Sequence, residues 1–149
     1  MTKIWGPAAW YFFHAFAEKI DPDFYIKNRK KCFDIIKNIC NIIPCPVCKR
    51  HALSFLRNIN PRTLSTKNDF RKFLFKFHNH SNIITNKTVQ NISILDKYKK
   101  GTMLKFLKYF NQNFIRINHY SNRFMFQLAA KKLYQNIFVW IMQNSKYFN

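Results

Sequence analysis

Only two glycines, Gly6 and Gly101, occur in 149 residues. Glycine supplies most of the positive-φ turns that let strands double back. A chain this poor in it, with only five prolines, lacks the means to build an all-β sandwich or barrel. The expected fold class is therefore all-α. The same scarcity rules out the glycine-rich phosphate loops of the Rossmann and P-loop classes, which each need more glycines at fixed spacing.

The length suits one domain with a sizeable core, and 17 phenylalanines in a chain that is 48% apolar exclude a solvating disordered segment. The formal charge of +20 ordinarily suggests nucleic acid or an anionic membrane as partner. A compositional cause competes. Lys, Asn, Ile and Phe together make up 70 of the 149 residues, and all four share AT-rich codons. The basic residues are also scattered (Lys27 to Lys31, Lys97 to Lys100, Lys131 and Lys132) and do not line one helix. The N-terminal run Met1 to Pro7 has none of the parts of a secretory signal. The apolar run from Ile137 to Met142 is far short of the ~20 residues a spanning helix needs. Neither a signal peptide nor a transmembrane segment is expected.

Pro7 suits the first turn of a helix, and Trp10, Phe13, His14, Ala17 and Ile20 recur at spacings of three and four along it. Asp21-Pro22-Asp23 ends that helix. A second is expected from Tyr25 to Ile43, with Cys32, Ile36, Ile39 and Cys40 in its buried stripe and Pro44 as its stop. A third runs from Pro46 to Arg57, a fourth from Asn68 to Ile84. A fifth runs from Ile94 to Phe110, opened by Ser93 with Asp96 as a capping box. Short connections between them predict a bundle over residues 1–110. In the extension, 111–149, Ser121 caps a last helix carrying Phe124, Leu128, Leu133, Ile137, Trp140 and Ile141. That helix docks on the bundle, meets a second subunit or lies on a membrane.

The chemistry concentrates at Pro44-Cys45-Pro46-Val47-Cys48. Two cysteines with two residues between them at a helix start can bond to each other. The exposed N–H groups there stabilise thiolate, moving a thiol from about 8.5 into the reactive range. Such a pair accepts and donates two electrons. Half of many zinc sites has the same spacing, and His51 and His78 could complete a four-ligand set with Cys45 and Cys48. A thioredoxin fold is excluded for want of strands. A redox pair on a helical scaffold still needs an electron acceptor, and Cys32 and Cys40, eight residues and about 12 Å apart along one helix, cannot pair to provide one. A bound organic cofactor would.

Three ordered motifs then carry a family resemblance: Trp5-Gly6-Pro7-x-x-Trp10-x-x-x-His14, Cys45-x-x-Cys48-x-x-His51, and His78-Asn79-x-x-Asn82-x-x-x-x-Lys87. Over residues 3–105 the chain closely resembles the Erv/ALR family of flavin-linked sulfhydryl oxidases, its small virus-encoded members most of all. The resemblance implies a four-helix bundle that holds FAD at its mouth, with a fifth short helix beside it, commonly as a homodimer. It implies that Cys48 lies against the flavin and Cys45 meets the incoming thiol. Gly6, Trp10, His14, His51, His78, Asn79, Asn82 and Lys87 would line the FAD, with no metal. It implies electrons taken from a dithiol protein or a thioredoxin-like carrier and delivered to molecular oxygen as hydrogen peroxide, in host cytoplasm or virion. The competing class is a zinc-binding or basic interaction module without redox activity.

The chain departs from the family pattern in places. Ser81 stands where Val is usual, Phe73 where Trp is frequent, and Asn86 and Thr88 flank Lys87 where Gly and Pro are common. No cysteine follows Cys48, so no shuttle pair exists, and Cys32 and Cys40 read as small apolar core residues.

Overall fold

In a computed structural model, residues 2–118 and 124–149 are described. Among the described residues eight α-helices form: α1 (Thr2–Lys19), α2 (Pro22–Lys27), α3 (Arg29–Asn41), α4 (Pro46–Arg57), α5 (Lys67–Ile84), α6 (Met103–Phe110), α7 (Arg116–Asn118) and α8 (Phe124–Gln143). Among the described residues the only β-type pairing is a single bridge between Ile20 and Phe148. The expected all-α class is what the chain adopts.

α1 begins before Pro7 and not at it, so the proline lies inside the helix. Its apolar surface is not one stripe. Ala8, Phe12, Ala15 and Phe16 are fully buried along with Phe13, Ala17 and Ile20, as expected of a helix that is hydrophobic nearly all round. α1 is the central rod, in contact with α5, α6 and the turns on either side of α6.

The expected second helix is split. Asp21 accepts a hydrogen bond from the Phe24 amide at 2.9 Å and, with Pro22 at the first position, opens α2. At Asn28 the side chain turns back to the Phe24 carbonyl at 2.8 Å, and α3 starts afresh. α4 has the bounds expected from Pro46 and the Asn58 turn. α5 opens on a reciprocal cap between Thr66 and Asp69, one residue earlier than the apolar pattern suggested.

The single helix expected over 94–110 is instead a 3₁₀ segment, Ile92–Lys99, followed by α6. Gly101, at φ 87°, adopts the left-handed conformation that only glycine takes without strain, and this breaks the run. The Ser93–Asp96 box does not form. Asn91 caps the segment through Ser93 N–H at 3.0 Å, Asp96 pairs with Lys99, and Thr102 caps α6. Lys19, buried on α1, donates to the Lys99 carbonyl at 2.6 Å and ties the segment down.

After α6 the backbone continues through a π-helical turn, Asn111–Ile115, into α7. The core runs without interruption from Trp5 across this junction to Phe148. α8 docks on the bundle: Ala130, Ile137 and Ile141 are buried, and Tyr134 donates to the Leu107 carbonyl at 3.3 Å. Phe124 and Leu128, among the apolar residues it carries, are exposed. Ser121, the expected cap, lies outside the described residues. Beyond α8 the chain closes on the end of α1, with Asp21 N–H to the Tyr147 carbonyl at 2.7 Å and Asn149 N–H to the Lys19 carbonyl at 3.0 Å. Among the described residues no helix is long and apolar enough to cross a membrane.

Candidate active site

Cys45 is the N-cap of α4 and Cys48 its third residue. One helical turn spans that spacing, leaving their Cα atoms 5.3 Å apart, and the two sulfurs form a disulfide. Cys45 Sγ also accepts the Cys48 N–H at 3.2 Å, so the cysteine itself satisfies a helix-end donor. The two sulfurs are not equivalent. Cys48 lines a deep cavity between the helices, and Cys45 does not.

The cavity, of about 90 Å³, is walled by four helices. α1 contributes Trp5, Gly6, Trp10 and Phe13. α3 contributes Ile39 and Cys40, and α4 contributes Cys48, His51 and Ala52 on one face at spacings of three and four. α5 supplies Phe77 and Ser81, and Lys87 stands at the edge. The walls are flat, aromatic and largely apolar. A second, more polar groove shares Gly6, Trp10, Ser81 and Lys87 with the first, and adds His78, Asn82, Lys97 and Tyr98. A third recess adjoins it, with Asn79, Gln90 and Thr88. Together they make an elongated site, apolar beside the disulfide and polar at the other end.

Trp10 organises the junction. Its ring lies parallel to His78 at 4.2 Å and meets Phe77 edge-on at 5.0 Å. His78 Nδ1 and His14 Nε2 share a hydrogen bond of 2.9 Å. Burial, aided by the His78 and Lys97 charges, lowers the His14 pKa to about 3. Burial, then Lys97 and Lys87, lowers His78 to about 4. Both rings are therefore neutral at physiological pH, one donating and the other accepting.

Asn79 is occupied in holding the chain. It donates to the Gln90 carbonyl at 3.0 Å and accepts the Gln90 N–H at 2.9 Å, as a peptide group would. Asn82 donates to Asn79 Oδ1 at 3.3 Å, and its own carbonyl receives the Lys87 N–H at 2.7 Å. These bonds fix the loop that presents Lys87. Asn86 sits at φ 56°, a left-handed conformation that Asn tolerates, so the residue found where the family often has Gly still makes the turn. Phe73 is buried and stacks on Phe55 and Phe77; of these rings only Phe77 lines the cavity. His51 is exposed at the cavity rim.

Cys32 and Cys40 are both buried free thiols. Burial raises both, Cys40 to about 12, so neither is thiolate at neutral pH. Cys32 is remote from the cavity; Cys40 lines it, a placement the helix stripe alone did not reveal. Sequence reasoning also missed Ala52, Lys97 and Tyr98, and named Trp5 only as part of a motif. Ala52 could have been found four residues after Cys48 on the same face. Lys97 carried no signal: its Nζ lies 5.0 Å from the Tyr11 ring centre and 5.1 Å from that of Tyr98, an arrangement created by docking of the 3₁₀ segment. Among the described residues no group of three or more His, Cys, Asp or Glu side chains is arranged to hold a metal ion.

The histidine pair makes stability pH-dependent. Unfolded histidine binds a proton near pH 6.5, whereas folded His14 and His78 resist it, so the unfolded state takes up protons first as pH falls. Stability is full above about 6.5 and declines as pH drops towards 4, by roughly 2 kcal/mol at pH 5 for His14 alone. Melting temperatures measured from pH 8 to pH 5 are expected to fall across that window. A His14→Phe, His78→Phe double variant should flatten the slope.

The Erv1 / Alr family profile matches residues 7–101, more than half of the chain. A protein of African swine fever virus (isolate Pig/Kenya/KEN-50/1950), named FAD-linked sulfhydryl oxidase, is 32% identical over 111 residues, covering 74% of this chain and 92% of the relative. The Warthog/Namibia isolate's protein of the same name matches to the same extent. A protein of Invertebrate iridescent virus 6, provisionally given that name, is 33% identical over 87 residues, 53% of this chain and 77% of its own. No solved structure matches. With its disulfide at the head of α4, its Trp10–His78–His14 cluster and its Lys87 loop all falling inside the matched residues, the chain belongs to the Erv1/Alr family.

Proposed function

We propose that the chain is an FAD-linked thiol oxidase that forms disulfides in dithiol protein substrates through Cys45 and Cys48. Molecular oxygen is the final electron acceptor and hydrogen peroxide the product. The observation that carries this reading is the asymmetry of the disulfide: Cys48 faces the cavity, and Cys45 does not. This asymmetry supports Cys48 as the sulfur on the cofactor side and Cys45 as the one that meets substrate.

The residues fit FAD. A planar ring system suits the slot between Trp5, Trp10, Phe13 and Phe77, and Lys87 and Lys97 supply charge for a pyrophosphate in the polar groove. His78 and Asn82 give the polar half hydrogen-bonding groups, and His14, buried and outside the lining of these cavities, holds the His78 ring through their shared hydrogen bond. Gly6 leaves the cavity wall without a side chain. Bound there, FAD supplies a two-electron acceptor that oxygen can reoxidise.

The protein's own part begins with a substrate thiolate attacking Cys45 Sγ. The Cys45–Cys48 bond breaks and Cys48 leaves as thiolate, stabilised by the first-turn amides of α4. The second substrate thiolate attacks the substrate sulfur of the mixed disulfide. Cys45 leaves, and oxidised substrate is released with the pair reduced. Substrate, or a thioredoxin-like carrier, meets Cys45 at the exposed start of α4. The viral relatives support a site of action in host cytoplasm or virion, and the family resemblance supports a homodimer.

Purified protein is expected to carry the visible absorption of oxidised flavin, to bleach on anaerobic addition of dithiothreitol and to recover in air with peroxide release. A protein that retains no flavin and consumes no oxygen overturns the proposal. Lys97→Ala should weaken FAD binding by about three- to ten-fold, less at high salt, since an exposed cation on a phosphate is screened. Titration of the apoprotein by flavin fluorescence at two ionic strengths measures this.

A further inference from the structure

The outward sulfur sits on a surface of one sign. Between Asp34 and Asp69 the chain has no carboxylate, and it carries Lys37, Lys49, Arg50, Arg57, Arg62 and Lys67. Two of these cations, Lys49 and Arg50, are on α4 immediately after the disulfide. Lys49 is four residues from Cys45, with its N–H on the Cys45 carbonyl at 2.9 Å, so its side chain rises on the same helix face. The ion pairs among the described residues are Lys30–Asp34, Arg71–Glu18 and Lys99–Asp96. Neither Lys49 nor Arg50 takes part in one. Beside them Pro44, Pro46 and Val47 are exposed, a small apolar strip next to Cys45.

We propose that Cys45 receives an acidic dithiol segment, a peptide strand whose attacking cysteine is flanked by Asp or Glu, held by Lys49 and Arg50. This rests on the oxidase reading above and names the substrate class of that same site. The physical reason is steering. A cationic surface raises the local concentration of acidic partners and repels basic ones, an effect on association of roughly 10- to 1,000-fold that falls with salt. The cations also act on the chemistry. Attack and resolution leave a thiolate first on Cys48 and then on Cys45, and the positive charge of Lys49, one turn along the same helix face as Cys45, favours that anion.

The test compares two dithiol peptides of equal length and identical Cys-x-x-Cys core, one flanked by glutamates and one by lysines, on the flavin-loaded protein. Dithiothreitol serves as the uncharged substrate. The glutamate peptide is expected to show a kcat/KM about ten-fold or more above the lysine peptide at low ionic strength, the gap narrowing as salt rises. In a Lys49→Glu, Arg50→Glu protein the ratio should reverse or vanish. Lys131→Glu, Lys132→Glu on the exposed face of α8, which makes the same change in net charge, should leave the ratio standing. Taking the ratio of two peptides on one enzyme cancels any loss common to both. If the α4 variant fails to fold, Lys49→Gln, Arg50→Gln should still halve the ratio or better. Equal rates for the two peptides with dithiothreitol turnover intact overturn the proposal. So does a ratio that responds equally to the α4 and α8 changes, since the field would then be global. A flavin-loaded protein that oxidises neither dithiothreitol nor peptide overturns the oxidase reading itself.

Discussion

Dithiothreitol oxidation by a Cys48→Ser protein is expected to fall by roughly 10³-fold or more, the scale of loss when one member of a catalytic pair that acts as a unit is removed. Flavin should remain bound, because the cavity walls supplied by Trp5, Trp10, Phe13 and Phe77 are untouched. Cys45→Ser should abolish turnover to the same extent, since neither variant has a disulfide for substrate to attack, but here the cavity-facing Cys48 thiol persists. The two variants should therefore differ in their flavin spectra, only Cys45→Ser keeping a sulfur against the cofactor. Cys32→Ala is the matching control. Its thiol is buried, disulfide-free and remote from the cavity, so turnover should stay within about two-fold while stability drops by about 1 kcal/mol, as for a small core truncation. Full activity in Cys48→Ser, measured by oxygen uptake, would remove the assigned roles of both sulfurs.

What the sequence disclosed depended on whether a position is set by its neighbours in the chain or by distant packing. The start of α4 was legible because Pro44 and Pro46 fix the backbone locally. Once α4 is a helix, Cys48, His51 and Ala52 must share a face. The ring positions of Trp10 and His14 followed from the same periodicity, and the all-α class from the lack of glycine. Gly101 was visible but misjudged: one glycine in an apolar helical pattern is tolerable, and only its φ of 87° shows that it ends the helix. The break at Asn28 depends on a side-chain bond to the Phe24 carbonyl, which competes with the helix only when the turn geometry is already present. Asn79, a cofactor-binding residue by motif, lines the polar recess and also bonds Gln90, a partner eleven residues away that the motif does not show. Exposed Phe124 and Leu128 illustrate the converse, since an apolar residue on a helix is buried only where another element covers it.

Ending the chain at Asn118 is expected to unfold it. The family profile stops at residue 101, yet the core does not: Phe114, Ile137, Ile141 and Phe148 are buried in the same cluster as Phe12 and Phe16 of α1. Removing α8 and the segment after it takes away three large buried side chains at about 1.5–3 kcal/mol each, plus Trp140 against Phe24. It also removes the hydrogen bonds that clamp Asp21 and Lys19. That sum approaches the ~5–15 kcal/mol that holds a whole domain together. Truncated protein should be insoluble, or soluble with weakened near-UV circular dichroism, strong binding of a hydrophobic dye and no retained flavin. Ile141→Ala is the graded form, costing about 2–5 kcal/mol by a fully buried cavity and lowering the melting temperature without changing the disulfide. A truncated chain that melts cooperatively at the full-length temperature and keeps its flavin would mean that α1 is stable without its cover, and that α8 contributes nothing to the site.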